Sequence, residues 1–195
     1  MDHTNQISIL KDVSKIISES PFFCPRTPKF NNPFNIKISN AGSWGWISDV
    51  KGYRYVNKHP LTNQKWPKIP QSLLEIWKNY CKYNFLPDSC LINLYTFPES
   101  KLGLHQDKDE KSFEHPVLSI SLGSSAIFKY GEEKKKLNEI CLTSGSLVIM
   151  EGSSRLNYHG VTKIIKTSKN IINMNKYDYF PIDCRVNITL RRYEL

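Results

Sequence analysis

Apolar side chains recur at helical spacing in two stretches of the chain: Ile9, Leu10, Val13, Ile16 and Ile17 within residues 5–18, and Leu73, Leu74, Trp77, Tyr80 and Cys81 within residues 71–85. A repeat of three and four puts one apolar stripe on each segment, so both are predicted to be amphipathic helices, the second entered after Pro67 and Pro70. Residues 21–70 break that rhythm. They hold most of the prolines and the aromatic run GSWGWISDVKGYRY, which fits hairpins and loops that form a covering element.

From residue 90 the pattern changes to short β-prone runs: CLINLYTF, KLGLHQD, PVLSISLG, SAIFKY, SLVIM and RVNITLRRY, separated by turn-forming Gly, Pro, Ser and Glu/Lys stretches. Such runs predict an antiparallel sandwich or barrel, hence a mainly β fold with flanking helices. The polar segment Thr162–Tyr179 reads as a surface excursion from it, and no internal repeat occurs.

With 195 residues, 39% hydrophobic and 23% charged, the chain can enclose the core of one domain spanning residues 1–195. It has no apolar run long enough to span a bilayer, and its first twenty residues lack the basic start and apolar middle of a signal peptide. No membrane partner and a cytoplasmic location are expected. The five cysteines (Cys24, Cys81, Cys90, Cys141, Cys184) are scattered with no C-x-x-C pair, which gives neither a disulfide framework nor a structural zinc site. A formal charge of +9, concentrated at Lys134–Lys136 and at Lys163, Lys166 and Lys169, would attract polyanions such as nucleic acid. A lysine-rich proteome would produce the same charge without such a partner.

Chemistry concentrates in two motifs. In His105-Gln106-Asp107, residues i and i+2 of a strand would share a face and could meet one ion. His159 is the best candidate for a third ligand, because His3 lies near the chain start and His59 and His115 precede prolines in loop-like contexts. Two histidines and one carboxylate form the facial set of non-haem Fe(II) oxygenases, which leaves positions open for a keto acid and O2. An isolated H-x-D is common, so the second motif matters. RVNITLR alternates Arg185, Asn187, Thr189 and Arg191 with Val186, Ile188 and Leu190. Two guanidinium groups beside an amide suit a dicarboxylate, since arginine binds carboxylate in bidentate fashion. The alternative is an edge strand whose polar face is wet.

Taken together, CLINLYTFPESKLGLHQDKDE, PVLSISLGSSAIFKYG, SRLNYHG and DCRVNITLR resemble the core motifs of the AlkB family of Fe(II)- and 2-oxoglutarate-dependent dioxygenases. GWISDVKGYRY and TNQKWPKIPQS resemble the nucleotide-recognition lid of its bacterial members, and the likeness runs from about Ser20 to Leu195. The resemblance implies a double-stranded β-helix, or jelly roll, over about residues 90–195, with the lid over about 20–70. It implies Fe(II) held by His105, Asp107 and His159, which are also the catalytic residues, and 2-oxoglutarate held by Arg185 with Asn93, Tyr95, Asn187 and Arg191. It further implies that Trp46, Tyr53, Asp109 and Arg155 contact the substrate, with Trp46 and the ring of His105 on opposite faces of an extruded base.

The physical chemistry of those residues agrees. A base must leave its stack to be modified, and an aromatic face restores about 1–3 kcal/mol of stacking. A ring-methylated adenine or cytosine is cationic, so an indole face and a carboxylate both favour it. Trp44 and Trp66 read instead as ordinary packing, and Asp109 and Glu110 have a solvated turn as their alternative role.

Three departures from the family pattern stand out: few residues precede the first helix, where bacterial members often have a leading strand; Met150 replaces a tryptophan common near the site; and the interval from His159 to Arg185 is longer by several residues. The activity implied is oxidative demethylation of N-alkylated bases in DNA, with single-stranded DNA as the expected form, by a monomer that consumes O2 and releases formaldehyde. Two alternatives remain open at this point: a hydroxylase or demethylase acting on RNA or tRNA with the same site, and a nucleic-acid-binding module with weak catalysis.

Overall fold

The computed structural model describes residues 1–166 and 174–194. Helix α1 (His3–Glu19) starts where the Asp2 carboxylate accepts a hydrogen bond from the Asn5 amide at 2.8 Å, and it buries the predicted stripe from Ile9 to Ile17. Helix α2 (Gln71–Cys81) follows Pro70 and buries Leu73, Trp77 and Cys81. It stops short of the predicted residue 85 because Lys82 takes a left-handed conformation (φ 48°). The freed loop returns a carbonyl to the helix, since the Trp77 indole N–H donates to Phe85 O at 2.9 Å.

Eleven strands appear among the described residues: β1 (Lys37–Gly42), β2 (Gly45–Asp49), β3 (Gly52–Val56), β4 (Ser89–Tyr95), β5 (Leu102–His105), β6 (Val117–Gly123), β7 (Ser125–Glu133), β8 (Lys136–Leu142), β9 (Leu147–Met150), β10 (Tyr158–Ile165) and β11 (Arg185–Arg191). They form a large sheet in the order β1-β4-β11-β6-β9, a smaller sheet β5-β10-β7-β8, and the separate hairpin β2-β3. This is the expected jelly roll with helices on one side and a hairpin lid.

The large sheet separates two chemistries by the period-2 alternation of its strands. Val186, Ile188 and Leu190 of β11 lie level with Leu94, Ile92 and Cys90 of β4 and with Leu122, Ile120 and Leu118 of β6, and all nine pack in the core that contains the apolar faces of α1 and α2. The opposite face turns Arg185, Asn187 and Thr189 toward the smaller sheet, beside Tyr95, Asn93 and Leu91 of β4 and Ser121 and Ser119 of β6. A second core of Leu91, Ala126, Phe128, Leu142, Val161 and Ile164 closes the space between the sheets. Every residue of β11 is buried, so its polar face is an internal wall and not a wet edge.

Four local expectations need correction. Strand β1, expected in the covering region, is part of the large sheet through its full pairing with β4. Strand β8 arises from a Lys/Glu-rich stretch that reads as a turn, because it pairs only on one side with β7 and leaves its charged side chains exposed. The surface excursion expected over Thr162–Tyr179 does not hold at its described ends: β10 continues to Ile165 and buries Ile164, and Met174 joins the helical core, as does Phe180 just beyond it. Residues 167–173, which include Lys169, lie outside the described residues. Finally, β5 ends at His105, so Asp107 stands just beyond the strand and not on it.

Candidate active site

His105 and His159 are brought together by register. They are directly paired across β5 and β10, and their ring centroids are 4.4 Å apart. The two strands approach closely at Gly160, where a Cβ would lie 2.8 Å from Leu102 O, so the pairing next to the histidines depends on a residue without a side chain. Each imidazole meets a carbonyl through Nδ1: His105 with Gly103 O at 2.8 Å and His159 with Asn157 O at 3.0 Å. A carbonyl can only accept, so Nδ1 carries a proton in both rings and Nε2 is the nitrogen that faces the site.

Those two Nε2 atoms face one carboxylate. His105 Nε2 lies 3.8 Å from Asp107 Oδ1, and His159 Nε2 lies 3.7 Å from Asp107 Oδ2. One ligand atom from each of the three residues falls within 4.8 Å of the others. Asp107 Oδ1 accepts from Arg191 Nη2 at 2.7 Å, whereas Oδ2 is buried with no hydrogen-bond partner. Burial alone would raise the Asp107 pKa, but Arg191 and then His159, His105 and Arg155 outweigh it and hold the carboxyl at about 2. Burial lowers the pKa of His159, which keeps that ring neutral. An ionised, unpartnered oxygen facing the Nε2 atoms of two imidazoles fits a divalent cation of the kind that His₂-carboxylate sets hold.

Arg185 has the complementary defect. Its side chain is fully buried over the Tyr95 ring, Nη2 donates to Ser121 Oγ at 2.9 Å, and Nε and Nη1 have no partner. No carboxylate among the described residues reaches it, and burial lowers its pKa. A buried cation with two free donors fits a carboxylate ligand. Asn187 bridges the same wall, donating to Ser119 Oγ at 2.6 Å and accepting from Asn93 Nδ2 at 3.2 Å.

These groups line one cavity of about 360 Å³, together with Trp46, Tyr53, Asp109, Leu102, Met150 and Thr189. The cavity is mainly apolar except for the metal-type cluster at one place and the arginine wall at another. The lid hairpin supplies Trp46 and Tyr53, whose rings stack at 5.8 Å and 15°, and the Trp46 indole N–H donates to Asp109 Oδ2 at 2.7 Å. Met150 places a flexible thioether at the cavity wall. Trp66 packs as read from the sequence, buried with Phe23 and His59. Trp44 packs against Tyr193.

Arg155 departs from the expected substrate contact. Its guanidinium is buried behind the cavity, where Nε donates to His115 O at 2.8 Å, Nη1 to Asp107 O at 2.7 Å and Nη2 to Glu110 Oε2 at 3.2 Å. All three nitrogens are engaged within the protein, so this residue fixes the loop that carries Asp107. Glu110, a turn residue on the sequence, is the group that spacing did not reveal. Its carboxylate is enclosed by Arg155, by Arg191 Nε at 3.5 Å and by the Tyr55 hydroxyl at 2.6 Å. A usable signal existed for Ser119 and Ser121, which alternate with Leu118, Ile120 and Leu122 as the polar face of β11 alternates.

The family model of the 2OG-Fe(II) oxygenase superfamily matches residues 2–191, so the protein is an oxygenase whose cofactors are Fe(II) and 2-oxoglutarate. The alpha-ketoglutarate-dependent dioxygenase AlkB homolog of Caulobacter vibrioides is 38% identical over 98% of this chain and 84% of its own. Alpha-ketoglutarate-dependent dioxygenase AlkB of Escherichia coli K12 is 37% identical over 94% of this chain and 83% of its own. The solved structure of OsALKBH1 superposes with a TM-score of 0.77 at 29% identity, covering 98% of this chain and 92% of that one. The chain belongs to the AlkB family of 2-oxoglutarate-dependent dioxygenases.

Proposed function

We propose that this enzyme oxidatively removes N-linked methyl groups from bases of single-stranded DNA, acting as a one-domain cytoplasmic monomer. The observation that carries the substrate half of this reading is the Trp46–Tyr53 ring pair, set over the same cavity that holds the His105, Asp107 and His159 cluster. A flat, cationic base entering there would meet an aromatic face and the Asp109 carboxylate, while its methyl group points at the cluster. The net charge of +9 supports a polyanionic substrate.

In this reading His105 and His159, through Nε2, and Asp107, through Oδ2, would hold Fe(II). Arg185 takes the distal carboxylate of 2-oxoglutarate with Asn93 and Tyr95, and Asn187 and Arg191 border its keto-acid end. Fe(II) bound there would supply oxidation by O2 coupled to decarboxylation of 2-oxoglutarate to succinate and CO2, with the oxidised methyl carbon leaving as formaldehyde. The protein's part is to orient the groups and keep water out. Leu102, Val117, Phe128 and Val161 give the cavity its apolar wall, and the Nδ1 protons of both histidines are held away on carbonyls. Arg191 neutralises the ligand carboxylate without occupying Oδ2.

Turnover on matched oligonucleotides containing 1-methyladenine or 3-methylcytosine, as single-stranded DNA, duplex DNA and RNA, tests the preference. Faster formaldehyde release from single-stranded DNA supports it, and faster release from RNA would replace it with the RNA-directed alternative.

A further inference from the structure

The lid hairpin grips the loop that carries Asp107 at two consecutive acidic residues. Trp46 and Tyr55 are directly opposite each other across β2 and β3; Trp46 bonds Asp109, and Tyr55 bonds Glu110. The first bond lies at the exposed mouth of the cavity. The second is buried, and Glu110 keeps only 1% of its side chain accessible. The Tyr55 hydroxyl accepts from Arg191 Nη1 at 3.3 Å while donating to Glu110 Oε1 at 2.6 Å, and the other arm of Arg191 donates to Asp107 Oδ1 at 2.7 Å. A continuous path of hydrogen bonds therefore runs from the lid strand to the carboxylate proposed as a metal ligand.

We infer that Tyr55 is a positioning residue that couples the place of the lid to the orientation of Asp107 through Glu110 and Arg191. The physical basis is the shared arginine. Arg191 donates to Tyr55 and Asp107 while its Nε, without a hydrogen bond, lies 3.5 Å from Glu110 Oε1, so removing the lid hydroxyl lets the guanidinium turn toward the remaining carboxylates and shifts its bond to Asp107 Oδ1. Oδ2 rotates with it, and the three-residue cluster changes shape. Arg155 Nη1 anchors the Asp107 carbonyl from the other side, so the backbone stays fixed while the side-chain torsion responds. The Tyr55 ring itself is held independently by stacking on Tyr193 at 4.3 Å, which allows packing and hydrogen bonding to be separated.

The inference rests on the metal-binding reading of the cluster and not on any particular substrate. Co(II) alone, added to the protein without oligonucleotide, is a suitable probe because its d–d absorption reports ligand geometry. Tyr55→Phe should alter the Co(II) spectrum and weaken Co(II) affinity about threefold, less than the roughly 10–100-fold typical of a group bonded directly to a ligand. Glu110→Gln should alter the spectrum in the same way. Tyr193→Leu, which removes the stacked ring but no bond of the path, should lower thermal stability and leave the spectrum unchanged. A wild-type spectrum in Tyr55→Phe, or an equal change in Tyr193→Leu, overturns the coupling. Wild-type Co(II) binding that survives Asp107→Ala would instead remove the metal reading on which it stands.

Discussion

Trp46 donates its indole N–H to Asp109 Oδ2 at 2.7 Å, so the two groups proposed to recognise a base satisfy each other. A base that stacks on the indole and offers an exocyclic amine to the carboxylate would exchange that bond for its own contacts. Loss of either residue should then affect the base and spare the cofactors. Trp46→Ala and Asp109→Ala should lower formaldehyde release from a methylated oligonucleotide by roughly ten- to hundredfold, as a lost stack of about 1–3 kcal/mol implies. Substrate-free conversion of 2-oxoglutarate to succinate should persist in both. Equal collapse of the two signals, or full retention of formaldehyde release, would contradict the assignment.

Arg185→Lys keeps the charge but not the fork. The lysine ammonium cannot reproduce the fixed planar donor set of the guanidinium, whose Nε and Nη1 have no partner within the protein. The Michaelis constant for 2-oxoglutarate should rise at least about tenfold, in keeping with the loss of about 1.4 kcal/mol or more from a charge-assisted bond. An unchanged constant would place the cosubstrate elsewhere.

Arg155 is predicted to matter for stability more than for substrate affinity. Its side chain is 3% exposed and it neutralises a Glu110 side chain that is 1% exposed. Arg155→Met leaves Glu110 with Arg191 and Tyr55, so the expected destabilisation is near the low end for a broken buried pair, about 3 kcal/mol. For a chain of this size that lowers the melting temperature by roughly 6–12 °C. Calorimetry should find this shift with the oligonucleotide Michaelis constant nearly unchanged; a large rise in that constant with normal stability would return Arg155 to the substrate.

Of the basic cluster at Lys134–Lys136, Lys134 and Lys135 form the turn between β7 and β8 and Lys136 opens β8, and Lys134 Nζ lies 5.1 Å over the ring of Tyr158, the neighbour of His159. Lys166 is instead paired with Asp183 at 2.7 Å, which weakens its claim on a phosphate. Reversing the charge of Lys134, Lys135 and Lys136 together should reduce the slope of log affinity against log salt by up to about two to three units. A slope equal to that of the wild type would make the turn a solvated surface only.

The sequence was most informative where a period governs the structure. The stripe of α1 and the alternation of β11 place their residues without knowledge of the partner elements. Register and long-range pairing were not legible. Nothing local shows that β1 belongs to the large sheet, or that β8, with its exposed charged side chains, pairs with β7. Glu110 and Arg155 illustrate the same limit at the site. Both are charged residues in turn-like contexts, and only the tertiary fold encloses them against Arg191 and Tyr55. Asp107 joins His105 and His159 in one cluster although it lies past the end of the strand, where alternation no longer sets the face of a side chain.

The most direct measurement of the central claim is formaldehyde and succinate release, followed in parallel, from a single-stranded DNA oligonucleotide carrying 1-methyladenine or 3-methylcytosine. With Fe(II), 2-oxoglutarate and O2 present, the wild-type protein should release the two products in near-equal amounts, and Asp107→Ala should release neither. Succinate formed without formaldehyde on every methylated DNA and RNA tested, or oligonucleotide binding with no turnover, would contradict it.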